Sequence, residues 1–212
     1  MKKFFSLFLL LMVSYGLHAQ HVEKDIFGDL VYASKDQVYK AFLKRDIFNN
    51  LTFTDSNNNQ VHYNHQYLVS NYTGIFSNEK VRMDFFRDLL YVNRPRAGYQ
   101  ATYEIDIFGA TSITDNLKRG LKIEKDISGH LQYSGKGREG NFSLERNIHG
   151  DLEYSVGNAR AYLKKDLHQR WVYTDSQGNT LEFSPKTWEM LKRRHKNEEE
   201  LMLHLVHQFL FI

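Results

Sequence analysis

The sequence predicts an α+β protein that is predominantly β. The chain reads as an antiparallel meander of hairpin repeats in two duplicated units, each ending in a two-helix cap. Three observations carry this. A short pattern recurs six times, from residues 21, 41, 101, 121, 141 and 161, and its anchors Asp106, Asp126, Asn147 and Asp166 lie 20, 21 and 19 apart. A longer string, AFLKRDIFNNLTFTDSNNN at 41, returns as AYLKKDLHQRWVYTDSQGN at 161 with 8 of 19 positions identical. Helical signals follow each copy of that longer string.

Each short copy alternates apolar and polar residues and then meets a turn pair such as Gly28-Asp29, Asn49-Asn50, Gly129-His130 or Gly150-Asp151. Residues that accept positive φ between β-branched and aromatic positions give a hairpin with a two- or three-residue loop. The second strand supplies Leu or Trp and then Tyr or Phe, as in Leu30 and Tyr32 or Trp171 and Tyr173. In five copies the anchor Asp or Asn precedes the aromatic by seven residues, which a two-residue loop makes a direct cross-strand pair. Phe27, Phe48 and Phe108 share one repeat position with His149 and His168, and read as a packing column.

The helical signals are local. Ser184 followed by Pro185 places an N-cap and a proline at the first helical position, opening KTWEMLKRRH. Asn197, with Glu200 three residues on, opens EEELMLHLVHQFLFI like a capping box, with acidic residues in the first turn. At an offset of 120, HQYLVSNY and NEKVRMDFFRDLLYV take the same places in the first half. The boundary between units falls at NRPRAGY, giving residues 20–97 and 98–212.

The first 19 residues have the layout of a secretory signal peptide: Lys2 and Lys3, an apolar run from Phe4, and the small residue Ala19. The run is too short to span a membrane, and no later stretch is long enough either. Removing those two lysines takes the formal charge from +3 to +1, so charge gives no support for nucleic-acid binding. With no cysteine there is neither a disulfide framework nor a lipid-anchoring thiol. Aromatic residues at 14% and only two prolines fit a β-rich core.

No catalytic set emerges. Asn147 replaces the anchor aspartate in one copy and cannot ionise, so a ladder of equivalent carboxylates is structural rather than an acid and base pair. The TDSNNN and TDSQGN turns lack the glycine and bidentate glutamate of a calcium loop and read as Asx turns. There is no GxSxG motif and no phosphate-cradling loop. Metal and cofactor are expected to be absent; of the nine histidines beyond the leader, His204 and His207 are the best-placed pair, neighbours at i and i+3 near His195. The C-terminal HLVHQFLFI is broadly apolar, so Phe209, Phe211 and Ile212 are the candidates for touching a partner if they do not close the core.

KDISGHLQY and RNIHGDLEY resemble the hairpin modules of YD-type secreted repeat proteins in their DxxGxLxY character, without the stricter YDxxGR wording. The resemblance covers short pieces of each copy and implies hairpin repetition with interaction work. The expected function is a non-enzymatic protein-interaction or scaffold protein exported to the bacterial envelope, in the periplasm or at the cell surface, as an accessory subunit of an outer-membrane or secretion complex. Two alternatives stand beside it: an envelope hydrolase or ligand-binding enzyme with a site between the two units, and an inhibitor or immunity-type binder.

Overall fold

A computed structural model of the chain describes residues 22–210. The leader expected at residues 1–19, and Phe211 and Ile212, lie outside the described residues. The described residues are mostly β with four helices. It divides into two compact units between Thr102 and Tyr103, within the sixth strand.

The first unit holds β1 (Val22–Lys24), β2 (Leu30–Ala33), β3 (Lys40–Arg45), β4 (Leu51–Asp55) and β5 (Gln60–Tyr63). Two helices follow, α1 (His65–Asn71) and α2 (Glu79–Asn93). Chain neighbours are sheet neighbours, all antiparallel. Alternation sets the buried face: β4 reads buried at Leu51, Phe53 and Asp55 with Thr52 and Thr54 between. Leu43 pairs with Leu30 on one side and Phe53 on the other, making a continuous apolar row across the sheet. Helix α2 covers that row, with the Phe86 ring 6.1 Å from Phe53 and the Phe85 ring edge-on to Tyr63 at 5.2 Å.

The strand β6 (Gln100–Ile105) leads into the second unit. There follow β7 (Thr111–Asp115), β8 (Gly120–Lys125), β9 (Leu131–Gly137), β10 (Gly140–Arg146), β11 (Leu152–Val156), β12 (Ala159–Lys165), β13 (Trp171–Asp175) and β14 (Thr180–Phe183). The helices α3 (Pro185–Arg194) and α4 (Glu198–Phe209) complete it. The pairings from β7 to β14 again join chain neighbours in antiparallel register. Leu152, Leu163 and Tyr173 form the matching apolar row, against which Leu201, Met202, Leu205 and Val206 of α4 are buried.

The caps act as expected. Ser184 accepts from the Thr187 N–H and Asn197 from the Glu200 N–H. The Glu200 carboxylate reaches back to the N–H of Lys196, one residue earlier than in the usual box. In α4 the apolar residues face the core; Leu210 is buried and Phe209 half-buried beside Tyr173, ring centroids 6.1 Å apart.

Each unit ties its last helix to the turn before its last strand. Asn59 Nδ2 donates to the Asn93 carbonyl at 2.9 Å and to the Arg96 carbonyl at 3.0 Å. Asn179 Nδ2 donates to the Phe209 carbonyl at 3.1 Å. These amides satisfy carbonyls at helix ends, which have no partner within the helix. The TDS turns thus join sheet to helix.

Candidate functional site

Six hairpin turns begin with the anchor Asp or Asn, and all six share one hydrogen-bond pattern. The Asp25 N–H donates to the Asp29 carbonyl and the Gly28 N–H to the Asp25 carbonyl, both at 3.0 Å. The same pair of bonds recurs at residues 46–50, 106–110, 126–130, 147–151 and 166–170. The fourth position has positive φ, +82° at Gly28 and +60° at Gln169. This is a three-residue loop, a type I turn closed by a bulge.

The anchor side chain caps its own turn. Asp46 Oδ1 accepts from the Phe48 and Asn50 N–H groups, both at 2.9 Å. Asn147 Oδ1 does the same for His149 at 2.9 Å and Asp151 at 3.0 Å. A neutral amide oxygen therefore performs the task as well as a carboxylate, which fits a structural Asx turn. Loss of hydration pushes the Asp46 carboxyl upward, but hydrogen bonds from Asn50 and Phe48 hold it below its usual range. The Arg170 N–H, aided by the Arg170 side chain, does the same for Asp166.

This geometry corrects two expectations. Tyr32 pairs with Val22, three residues before Asp25, so the anchor is not the cross-strand partner of the aromatic. The three-residue loop shifts the register from that of a two-residue one. The supposed packing column is also exposed: Phe27, Phe48 and Phe108 are among the most exposed large apolar residues, and His149 and His168 are exposed too. They lie within the loop, beyond the last paired residues, where the strand alternation no longer applies.

The residue just before them is aliphatic in every copy: Ile26, Ile47, Ile107, Ile127, Ile148 and Leu167. Each is at least 89% exposed. Hairpin turns alternate between the two ends of a meander, so within each unit these tips share one end of the strands. The opposite end offers a comparison. Asp55, Asp115 and Asp175 build turns of the same kind, accepting from the second and fourth N–H groups that follow. There the tip position holds Ser56, Asn116 and Ser176. The turn itself therefore does not require an aliphatic residue.

With strands about 4.8 Å apart, alternate turns stand roughly 10 Å from one another, and the four tips of the second unit make a row roughly 30 Å long. Exposed Lys44, Lys125, Lys164 and Lys165 lie at the strand ends just behind the tips. The arrangement is a comb of apolar knobs with a collar of mixed charge, Glu104 and Glu145 being exposed at the same strand ends. It is suited to contact.

A second feature belongs to the first unit. A cavity of about 810 Å³ opens between the first strands and the end of α2, and Tyr32, Tyr39, Arg87, Leu90, Arg94 and Arg96 are among the residues that line it. The Arg94 guanidinium lies 5.4 Å from the Tyr39 ring centre, and that of Arg96 lies 4.4 Å from the Tyr99 ring centre. Among the described residues its lining comes from residues 22–96 and includes no Asp, Glu or His. Sequence reasoning missed it because Tyr32 and Arg94 are far apart in the chain.

Of the named candidates, His204 and His207 are exposed on α4, and the His204 ring lies 5.1 Å from that of His195. Among the described residues no group of three or more His, Cys, Asp or Glu is placed to hold a metal. Phe209 packs on Tyr173. No helix among the described residues is long and apolar enough to cross a membrane.

No family model matches the chain, and no curated protein does. A solved structure of the G-box domain of the microcephaly protein CPAP aligns with 79% of this chain and 99% of that one. Its identity is 8% and its TM-score 0.20, a likeness that carries no argument about fold or function.

Proposed function

We propose that this is a non-enzymatic interaction protein of the bacterial envelope that engages a protein partner through the aliphatic tips of its hairpins. The observation that carries the reading is the contrast between the two ends of the strands. Turns of one geometry bear Ile or Leu at one end and Ser or Asn at the other, so the exposed aliphatics answer to something outside the turn. Apolar groups in water are a cost that burial against a partner relieves.

Export rests on the leader-like first 19 residues. A bacterial envelope suits the short di-lysine start, and the likeness to YD-type hairpin repeats points to the same kind of work. We read the two units as duplicates, supported by the repeated 19-residue string and by the clamps from Asn59 and Asn179. An accessory role in an outer-membrane or secretion complex follows from a long binding edge with no chemistry of its own.

The test compares wild type with a variant carrying Ser at Ile127, Ile148 and Leu167. Both are used to recover partners from envelope extracts and, separately, to bind vesicles of phosphatidylethanolamine and phosphatidylglycerol. The expected result is a discrete protein recovered by wild type and lost with the variant, at unchanged thermal stability. Vesicle binding that depends on the same three residues, with no protein recovered, assigns the tips to lipid and overturns the reading.

A further inference from the structure

We infer that the cavity of the first unit is a binding site for a small amphipathic carboxylate, with an apolar body in the cleft and its head on the arginines. Its volume, about 810 Å³, is within the span of small-molecule sites. Three arginines are among the described residues that line it, and no acidic residue is. Arg87 bonds Asp84 on its own helix at 3.1 Å, leaving Arg94 and Arg96 as the main anion-facing pair. Asp36 lies close enough to feel Arg94, and it is already held by Ser34 and the Val38 N–H. Guanidinium groups match a carboxylate with two parallel donors.

The second observation is the pair of rings. Tyr32 and Tyr39 both line the cleft, the Tyr32 hydroxyl oxygen being shielded within the protein and the Tyr39 hydroxyl donating to Asp55 Oδ2 at 2.9 Å, so each offers only its ring. The apolar body would lie against Tyr39, Leu90 and Pro95.

The arginines are held in place by the backbone. Asn57 Nδ2 donates to the Arg94 carbonyl at 3.0 Å and Asn59 Nδ2 to the Arg96 carbonyl at 3.0 Å. The segment NRPR is thereby pinned from the TDSNNN turn, a preformed setting for a ligand. In the second unit the nearest counterpart of Tyr32 is Tyr154, and Phe142 stacks on it at 6.2 Å. In the first unit the strand beside Tyr32 is β1, three residues long, with Val22 opposite.

Isothermal titration of the purified protein with decanoate, 1-decanol and decylamine tests this. Decanoate is expected to bind with one site per chain, and the other two to bind at least tenfold more weakly. Arg94→Gln with Arg96→Gln should weaken decanoate about tenfold or more. No decanoate binding, equal binding of decanol, or binding indifferent to the two arginine substitutions would overturn the assignment.

Discussion

Asn59 Nδ2 reaches the Asn93 carbonyl at 2.9 Å, and in doing so joins a turn of the sheet to the end of α2. Asn59 is 1% exposed and is saturated: it also bonds Asp55 Oδ2 and the Arg96 carbonyl, while its Oδ1 accepts from the Tyr99 N–H at 2.8 Å. Asn59→Ala leaves these buried groups unpaired and should cost about 3 kcal/mol, read from urea unfolding. Asn58→Ala beside it breaks no such network but sets alanine at a φ of +59°, and its loss should be about 1 kcal/mol, well short of that at Asn59.

Gly135 sets a sharper steric limit. A Cβ there would collide with the Gly120 carbonyl across the sheet and come within 2.9 Å of the Phe142 ring. Backbone cannot yield as a flexible side chain does, so Gly135→Ala should destabilise the second unit by about 3 kcal/mol. Gly137→Ala, with nothing within 4 Å of the new carbon, serves as the control and should be close to neutral by thermal melting.

Among the described residues, the best-shielded ion cluster lies in the second unit. Arg146 bonds Glu199 at 2.8 Å and Glu198 at 3.1 Å, with its side chain 12% exposed and that of Glu199 7%. Arg146→Met removes the cation and strands a buried carboxylate, at a cost of about 3 kcal/mol. Adding Glu199→Leu should recover much of the loss, because no charge is then left unpaired at that position. Chemical denaturation of the two variants checks the pair.

Acid sensitivity follows from the turn aspartates. Hydrogen bonding by the Arg170 N–H holds the folded-state pKa of Asp166 down, and those of Asp46 and Asp126 are likewise held below the ordinary value. A group depressed in the folded state adds stability above its unfolded pKa, about 4, and loses it as pH falls through the folded value. The melting temperature should therefore be flat from neutral pH to about 5 and drop below about 4. In Asp166→Asn, which keeps the Asx acceptor as Asn147 does, part of that acid slope should vanish.

Much of this fold was legible because its signals are local. The Ser184 and Asn197 caps opened α3 and α4 where expected, and the recurring turn residues marked the hairpins. The face of the tip residues was not legible. Ile123, Lys125 and Ile127 alternate like a half-buried strand, yet Ile127 is fully exposed because it stands in the loop, beyond the last paired residue Lys125. Loop length decides that, and a two-residue and a three-residue loop share the same turn residues. The cavity was hidden for a different reason, since it depends on which strand borders Tyr32, and long-range packing leaves no local pattern.

The central claim is that the aliphatic hairpin tips are a protein-contact surface, and photocrosslinking in the producing cell tests it most directly. A photoreactive side chain is placed at Ile127 or Ile148, and at Asn116 and Ser176 on turns at the opposite end. The account predicts one discrete protein adduct from Ile127 and Ile148 and none from Asn116 or Ser176. Adducts of equal yield from both ends, or none from the tips, would contradict it.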